Sequence, residues 1–148
     1  MLLEDIKSQL RDSGQPSLEL NAKYRSIVYK TARDQWNRSL SFSLSKLLCP
    51  KIAIMAAVRE LEQEILPRLS DVNIKSLLKE NGITPTEIFF LCHGFGSLEP
   101  YKVVRASTLM DKQDDFWLAG HDLAFYDESF SWLMEIRDDG QVLLSKRP

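Results

Sequence analysis

Cysteine and histidine are scarce in this 148-residue chain, which has two of each: Cys49, Cys92, His93 and His121. Two cysteines cannot build the disulfide framework of a small secreted domain, and both read as small buried apolar residues in a reducing setting. A zinc site would have to draw the histidines to those cysteines or to distant acids, and Cys92 and His93, being adjacent, are poorly placed to share one ion. No metal and no cofactor is expected. Long apolar runs are also missing, since none approaches the ~20 residues of a membrane span. Met1-Leu2-Leu3-Glu4-Asp5 puts acids where an export signal carries positive charge, so the expectation is a cytoplasmic protein. There is no Gly-x-Ser-x-Gly turn and no P-loop, hence no sign of a serine nucleophile or a phosphate cradle. His93-Gly94-Phe95-Gly96 lacks the third glycine of a dinucleotide fingerprint and reads as a helix end followed by a turn.

What the chain does have is concentrated near its C-terminal end. Phe116-Trp117-Leu118, Phe125-Tyr126, Phe130 to Ile136 and Val142-Leu143-Leu144 are short aromatic and β-branched runs separated by Gly or Asp clusters. That pattern predicts successive strands of a β-meander. Asp138-Asp139-Gly140 supplies the positive-φ positions of a type I′ turn and predicts a hairpin between Ile136 and Val142. Tyr101 to Ser107 alternates like a further strand before the meander.

The first part of the chain reads as helical. Leu2, Leu3, Ile6 and Leu10 share one side of a helix over about 2–12, stopped by Ser13-Gly14-Gln15-Pro16. Asn21 can cap a second helix with Tyr24, Ile27, Val28, Ala32 and Trp36 at helical spacing, and with Lys23, Arg25, Lys30, Arg33 and Arg38 on its other face. Residues 39–48 fit either a strand or a helix and are read as helix. Ile52 to Leu66 predicts a helix ended by Pro67, and Ser70 or Asp71 could cap a shorter one carrying Ile74, Leu77 and Leu78, closed by Asn81-Gly82. Thr84-Pro85-Thr86-Glu87 has the form of a capping box, which predicts a helix from Pro85 to His93, although Ile88-Phe89-Phe90-Leu91 alone would also suit a buried strand. Helices first and strands afterwards imply one α+β domain over 1–148. Its helical N-terminal half (1–93) would pack on one face of an antiparallel meander built from the C-terminal third (101–145). Trp36, Phe42, Ile54, Val58, Leu61, Leu77, Phe89, Val103, Trp132 and Leu143 are the expected core.

The formal charge of −2 conceals a polarity along the chain. Residues 1–80 hold 13 Lys and Arg against 10 acids, whereas residues 111–139 hold nine acids against Lys112 and Arg137. Such a field speeds the approach of a basic partner and repels phosphate backbones; solvated turns, which favour Asp for local reasons, give the same composition. The expected contact set is Asp111, Asp114, Asp115, Asp122, Asp127 and Glu128 around the aromatic anchors Trp117 and Tyr126. Nothing has the context of a nucleophile with its base, so a non-catalytic binding domain is expected. Two other functions stay open. His121 beside Asp122 or near Asp127 could serve a small hydrolase or transferase, and the basic helix of residues 23–38 could bind nucleic acid, against which Asp34 and the acidic C-terminal half weigh.

Thr84-Pro85-Thr86-Glu87-Ile88-Phe89-Phe90-Leu91-Cys92-His93-Gly94-Phe95-Gly96, followed by Trp132 and by Asp139-Gly140 in a strand-turn-strand, resembles the SUKH superfamily over roughly the C-terminal 65 residues. His93-Gly94 stands where that family commonly has Asn-Gly. The family comprises small α+β domains, many of them bacterial immunity proteins. The resemblance implies a proline-opened helix ending in a small-residue turn, and a basic toxin domain as the partner.

Overall fold

Ile88 to Cys92 is apolar without interruption, and each of these five side chains is at most 1% exposed. A strand accounts for this better than a helix. Alternate residues project to opposite faces, so an unbroken apolar run is what a strand covered on both faces requires. The computed structural model describes residues 2–39, 62–66, 73–93, 98–113, 116, 123–136 and 142–146. Its elements are α1 (Leu2–Ser13), β1 (Ser17–Glu19), α2 (Ala22–Ser39), β2 (Glu62–Leu66), α3 (Ile74–Glu80), β3 (Ile88–His93), β4 (Lys102–Arg105), α4 (Ala106–Asp111), β5 (Leu123–Asp127), β6 (Trp132–Ile136) and β7 (Val142–Lys146). The strands form a seven-stranded sheet in the order β1-β4-β3-β5-β6-β7-β2, antiparallel at every pair.

The protein is thus α+β, with its sheet core in the C-terminal part, but two features of the expected architecture are corrected. β1, β2 and β3 come from the part of the chain expected to be helical, and helices cover both faces of the sheet. On one face, Ile6 and Leu10 of α1 and Val28 and Ala32 of α2 pack with Phe90, Cys92, Val103, Ala124, Tyr126 and Leu133. On the other, Ile74, Leu77 and Leu78 of α3 and Ala106 and Leu109 of α4 pack with Phe89, Leu91, Val104, Phe125, Trp132 and Met134. Successive residues of β3 and β5 enter opposite cores.

Local chemistry sets the ends of the elements. Asn21 Oδ1 accepts from Tyr24 N at 2.9 Å and starts α2 as expected. α3 starts later than expected, capped by Asn73, whose side chain accepts from Ser76 N at 3.0 Å, rather than by Ser70 or Asp71. It closes with Gly82 at φ +72, Ile83 N donating to Leu78 O and Gly82 N to Lys79 O, the paired bonds of a left-handed C-cap. No helix follows Thr84-Pro85-Thr86-Glu87. The Thr86 N–H is taken by the distant Asp127 carboxylate at 3.1 Å, and β3 begins at Ile88. Leu66 likewise ends a strand and not a helix, because residues 62–66 pair with β7, a partner far along the chain that no local periodicity reveals. The strand expected to run to Ser107 gives way at Ala106 to α4.

The β6–β7 hairpin is present, with Ile136 opposite Val142. That register leaves an odd number of residues between the pair, whereas an unbroken two-residue turn at Asp139-Gly140 would bring Ile136 opposite Leu143. The turn residues 137–141 lie outside the described residues. So do Phe42, Ile54, Val58 and Leu61 of the expected core and the segment 40–48, as do the side chains of Trp36 and Leu143. Leu77, Phe89, Val103 and Trp132 are buried as expected.

Trp132 is 2% exposed and meets Phe89 and Phe125 edge-on, at 5.6 and 5.8 Å between ring centres. Its Nε1 has no hydrogen-bond partner among the described residues. Trp132→Ala is expected to lower unfolding free energy by about 3–5 kcal/mol through the cavity it leaves. Trp132→Phe removes the unpaired donor as well as some area and is expected to cost less than about 1.5 kcal/mol, measured by denaturant unfolding.

Candidate protein-interaction surface

The acidic segment leaves the sheet through α4. Ala106 N donates to Glu87 O at 2.9 Å, Ala106 and Leu109 are buried, and the helix ends at the exposed Asp111, with Lys112 N donating back to Thr108 O. Gln113 Oε1 then accepts from Ile74 N, the first residue of α3, at 2.8 Å, and Phe116 packs partly buried on the same core. The chain is therefore anchored on either side of Asp114 and Asp115. Asp111 has the exposure expected of a contact residue. Asp114, Asp115, Trp117 and Asp122 lie outside the described residues, as do His121 and the expected strand residues 117–118.

Two nominated residues are not surface groups. Tyr126 is fully buried at the centre of β5, its ring 5.8 Å from Phe90 and its hydroxyl donating to Leu98 O at 2.8 Å, so it cannot serve as an exposed anchor. Burial pushes its hydroxyl pKa well up. Asp127 is also fully buried. Its Oδ2 accepts from Thr86 N, and its Oδ1 accepts from Ser129 N at 2.9 Å and from the Ser129 hydroxyl. Oδ1 makes the local hydrogen bonds for which turns favour Asp, while Oδ2 reaches across to the entry of β3, so Asp127 is neither an exposed contact residue nor part of a solvated turn. The same turn holds Phe130 at φ 52, a left-handed conformation rare for a bulky residue, with its ring stacked 6.2 Å from Phe90.

Glu128 faces inward across the domain. Its Oε1 accepts from Lys7 Nζ of α1 at 2.6 Å, and Lys7 also lies 3.5 Å from Glu87 and 3.7 Å from Glu4. Arg11 reaches Glu87 at 3.3 Å. The bond to Glu128 raises the Lys7 pKa above 10.5 against the opposing effect of desolvation, with Glu4 and Glu87 adding to it. This set latches α1 to the β5–β6 turn. Only the amphipathic spacing of α1 is local; a pairing across so much of the chain has no signature in sequence.

The two other functions meet specific geometry. Both oxygens of the fully buried Asp127 accept from backbone and serine donors, and His121 lies outside the described residues. Cys92 is buried, donates to Leu98 O at 3.3 Å, and has its thiol pKa pushed up by burial, which opposes thiolate chemistry. Among the described residues no three His, Cys, Asp or Glu side chains are grouped to hold a metal, and no helix is long and apolar enough to cross a membrane. On α2, Lys23 and Lys30 are exposed, while Arg33 lies 5.8 Å from the centre of the Tyr29 ring and Arg25 is half-buried. A feature with no sequence signal is a cleft of about 70 Å³ beside β1, lined by α1, β1, the start of α2 and β4.

Asp127→Ala would strand the Thr86 and Ser129 donors and is expected to cost about 3 kcal/mol, whereas Asp111→Ala should stay within about 0.5 kcal/mol, both by urea unfolding. Lys7→Met is expected to lower stability by about 1–3 kcal/mol because Glu128 loses its cation. A raised folded-state pKa means that the Lys7 contribution is complete below 10.5 and lost as pH rises through the folded value. The difference between wild type and Lys7→Met should hold from about pH 7 to 9 and shrink above 10.5. No protein-family model matches this chain, and none of the curated proteins is significantly similar to it.

Proposed function

We propose that the chain is a non-catalytic, cytoplasmic protein-binding domain, an immunity protein that holds a basic toxin domain against the acidic segment following α4. The observation that carries this reading is the charge excess, nine acids against two bases over residues 111–139, beginning at the exposed Asp111. Because Asp127 and Glu128 are engaged inside the domain, the contact is assigned to Asp111, Asp114, Asp115 and Asp122, with Trp117 as its aromatic anchor. Rim charges mainly steer association, while an aromatic that becomes buried carries more of the affinity. The toxin as partner comes from the SUKH resemblance. That family's proline-opened helix corresponds here to a stretch that forms β3, so the charge carries the reading and the resemblance only names the partner.

The test is co-purification with the product of the neighbouring gene at two salt concentrations, compared with a variant in which Asp111, Asp114, Asp115 and Asp122 are changed to Lys. A stoichiometric complex that weakens with salt, and by at least about tenfold on charge reversal, is expected. Binding that survives the reversal would remove this segment from the interface.

A further inference from the structure

Among the described residues β1 is an outer strand, with β4 as its one neighbour in the sheet. Which of its backbone groups face outward follows from those that face in. Pro16 O accepts from Arg105 N at 3.3 Å and Leu20 N donates to Tyr101 O at 2.8 Å, so positions 16, 18 and 20 turn their backbone toward β4. Alternation then turns the N–H and C=O of Ser17 and Glu19 outward, where no described strand pairs with them. Pro16 does not blunt this edge, because the N–H it lacks belongs to the inward set.

The cleft of about 70 Å³ opens beside the same edge, on the face covered by α1 and α2. Ile6, Leu18, Leu20 and Val103 give it an apolar lining, and Gln9 and Tyr24, hydrogen-bonded to each other at 3.0 Å, line it from the two helices. Acids outnumber bases among the exposed charges beside it: Glu19 is exposed, Asp5 and Asp12, both exposed, lie one turn to either side of Gln9 on α1, and Lys23, next to Tyr24 on the first turn of α2, is the exposed base. The basic residues of α1 are engaged elsewhere, Lys7 with Glu128 and Arg11 with Glu87. Lys102, across from Glu19 on β4, is the one described cation paired to this strand.

We propose that β1 docks an extended segment of a basic protein, added to the sheet as a further strand. Ser17 and Glu19 supply the main-chain hydrogen bonds. A residue facing Leu18 projects onto the α1/α2 face, where the cleft accepts a small aliphatic side chain, and a Lys or Arg facing Glu19 lies beside that carboxylate on the opposite face. A second copy of this chain fits less well, since an antiparallel pair centred on Leu18 sets Glu19 opposite Ser17 and gives neither carboxylate a cation. The proposal does not depend on the function assigned to the segment after α4.

The probe is the capped peptide Thr-Lys-Val-Lys-Val-Lys-Thr, titrated into isotope-labelled full-length protein. Resonance shifts centred on residues 17–21 and slowed amide exchange at Ser17 and Glu19 are expected. Affinity should fall by at least about tenfold when alternate peptide amides are N-methylated, when Glu replaces Lys in the peptide, and in Glu19→Lys, whose thermal melt serves as the folding control. Shifts elsewhere, or an affinity indifferent to N-methylation, would overturn the proposal. A concentration-dependent dimer whose contact maps to β1 would overturn it in favour of a second copy.

Discussion

β3 and β5 lie side by side with both faces covered, and every described side chain on the two strands is buried. Each residue pair across this ladder commits one core or the other: Phe90 with Tyr126 to the α1/α2 side, Phe89 and Leu91 with Phe125 to the α3/α4 side. A slip of one residue would exchange the two sets, placing the Asp127 carboxylate away from Thr86 and the Tyr126 hydroxyl away from Leu98. Register is therefore enforced by packing and by two buried polar bonds. The remaining strands extend outward from a centre that has one acceptable alignment.

How much of this was legible in the sequence depends on where each signal lies. α1, α2 and the C-terminal part of α3 were readable because their determinants fall within a few residues: apolar spacing, Asn21 as cap, Asn81-Gly82 as stop. β3 was misread because its capping-box prefix is local and its true partner is not; Thr86 bonds to Asp127 instead of opening a helix. β1 and β2 escaped for the same reason, being defined wholly by β4 and β7. Of the nominated contact residues, Tyr126 and Asp127 looked like a surface aromatic beside a turn acid. β5, buried on both faces, shows no polar alternation by which its exposure could have been judged.

Acidity thus has two physical roles in the C-terminal part. Asp127 and Glu128 are internal, one satisfying backbone donors at the entry of β3 and the other fixing α1 through Lys7. Asp111 is external, on a short helix secured by Ala106 and Leu109. Composition alone cannot separate these roles, because a carboxylate accepting N–H bonds and one facing water are the same letter. The distinction matters for any charge-reversal experiment, which tests an interface only if it spares the internal pair.

The two outer strands, β1 and β2, pair across more than half the chain, whereas β5, β6 and β7 are joined by short connections. Loop-closure entropy makes the meander the inexpensive part to assemble, with the Asp127–Ser129 turn already formed from neighbours in sequence, and leaves the outer strands to close last. The order of closing sets the order of opening. Thermal fluctuation frays the sheet from its margins inward, so the backbone groups of β1 and β2 exchange with solvent far sooner than those of β3 and β5, and the molecule's first partly unfolded state keeps an intact centre beneath loosened edges.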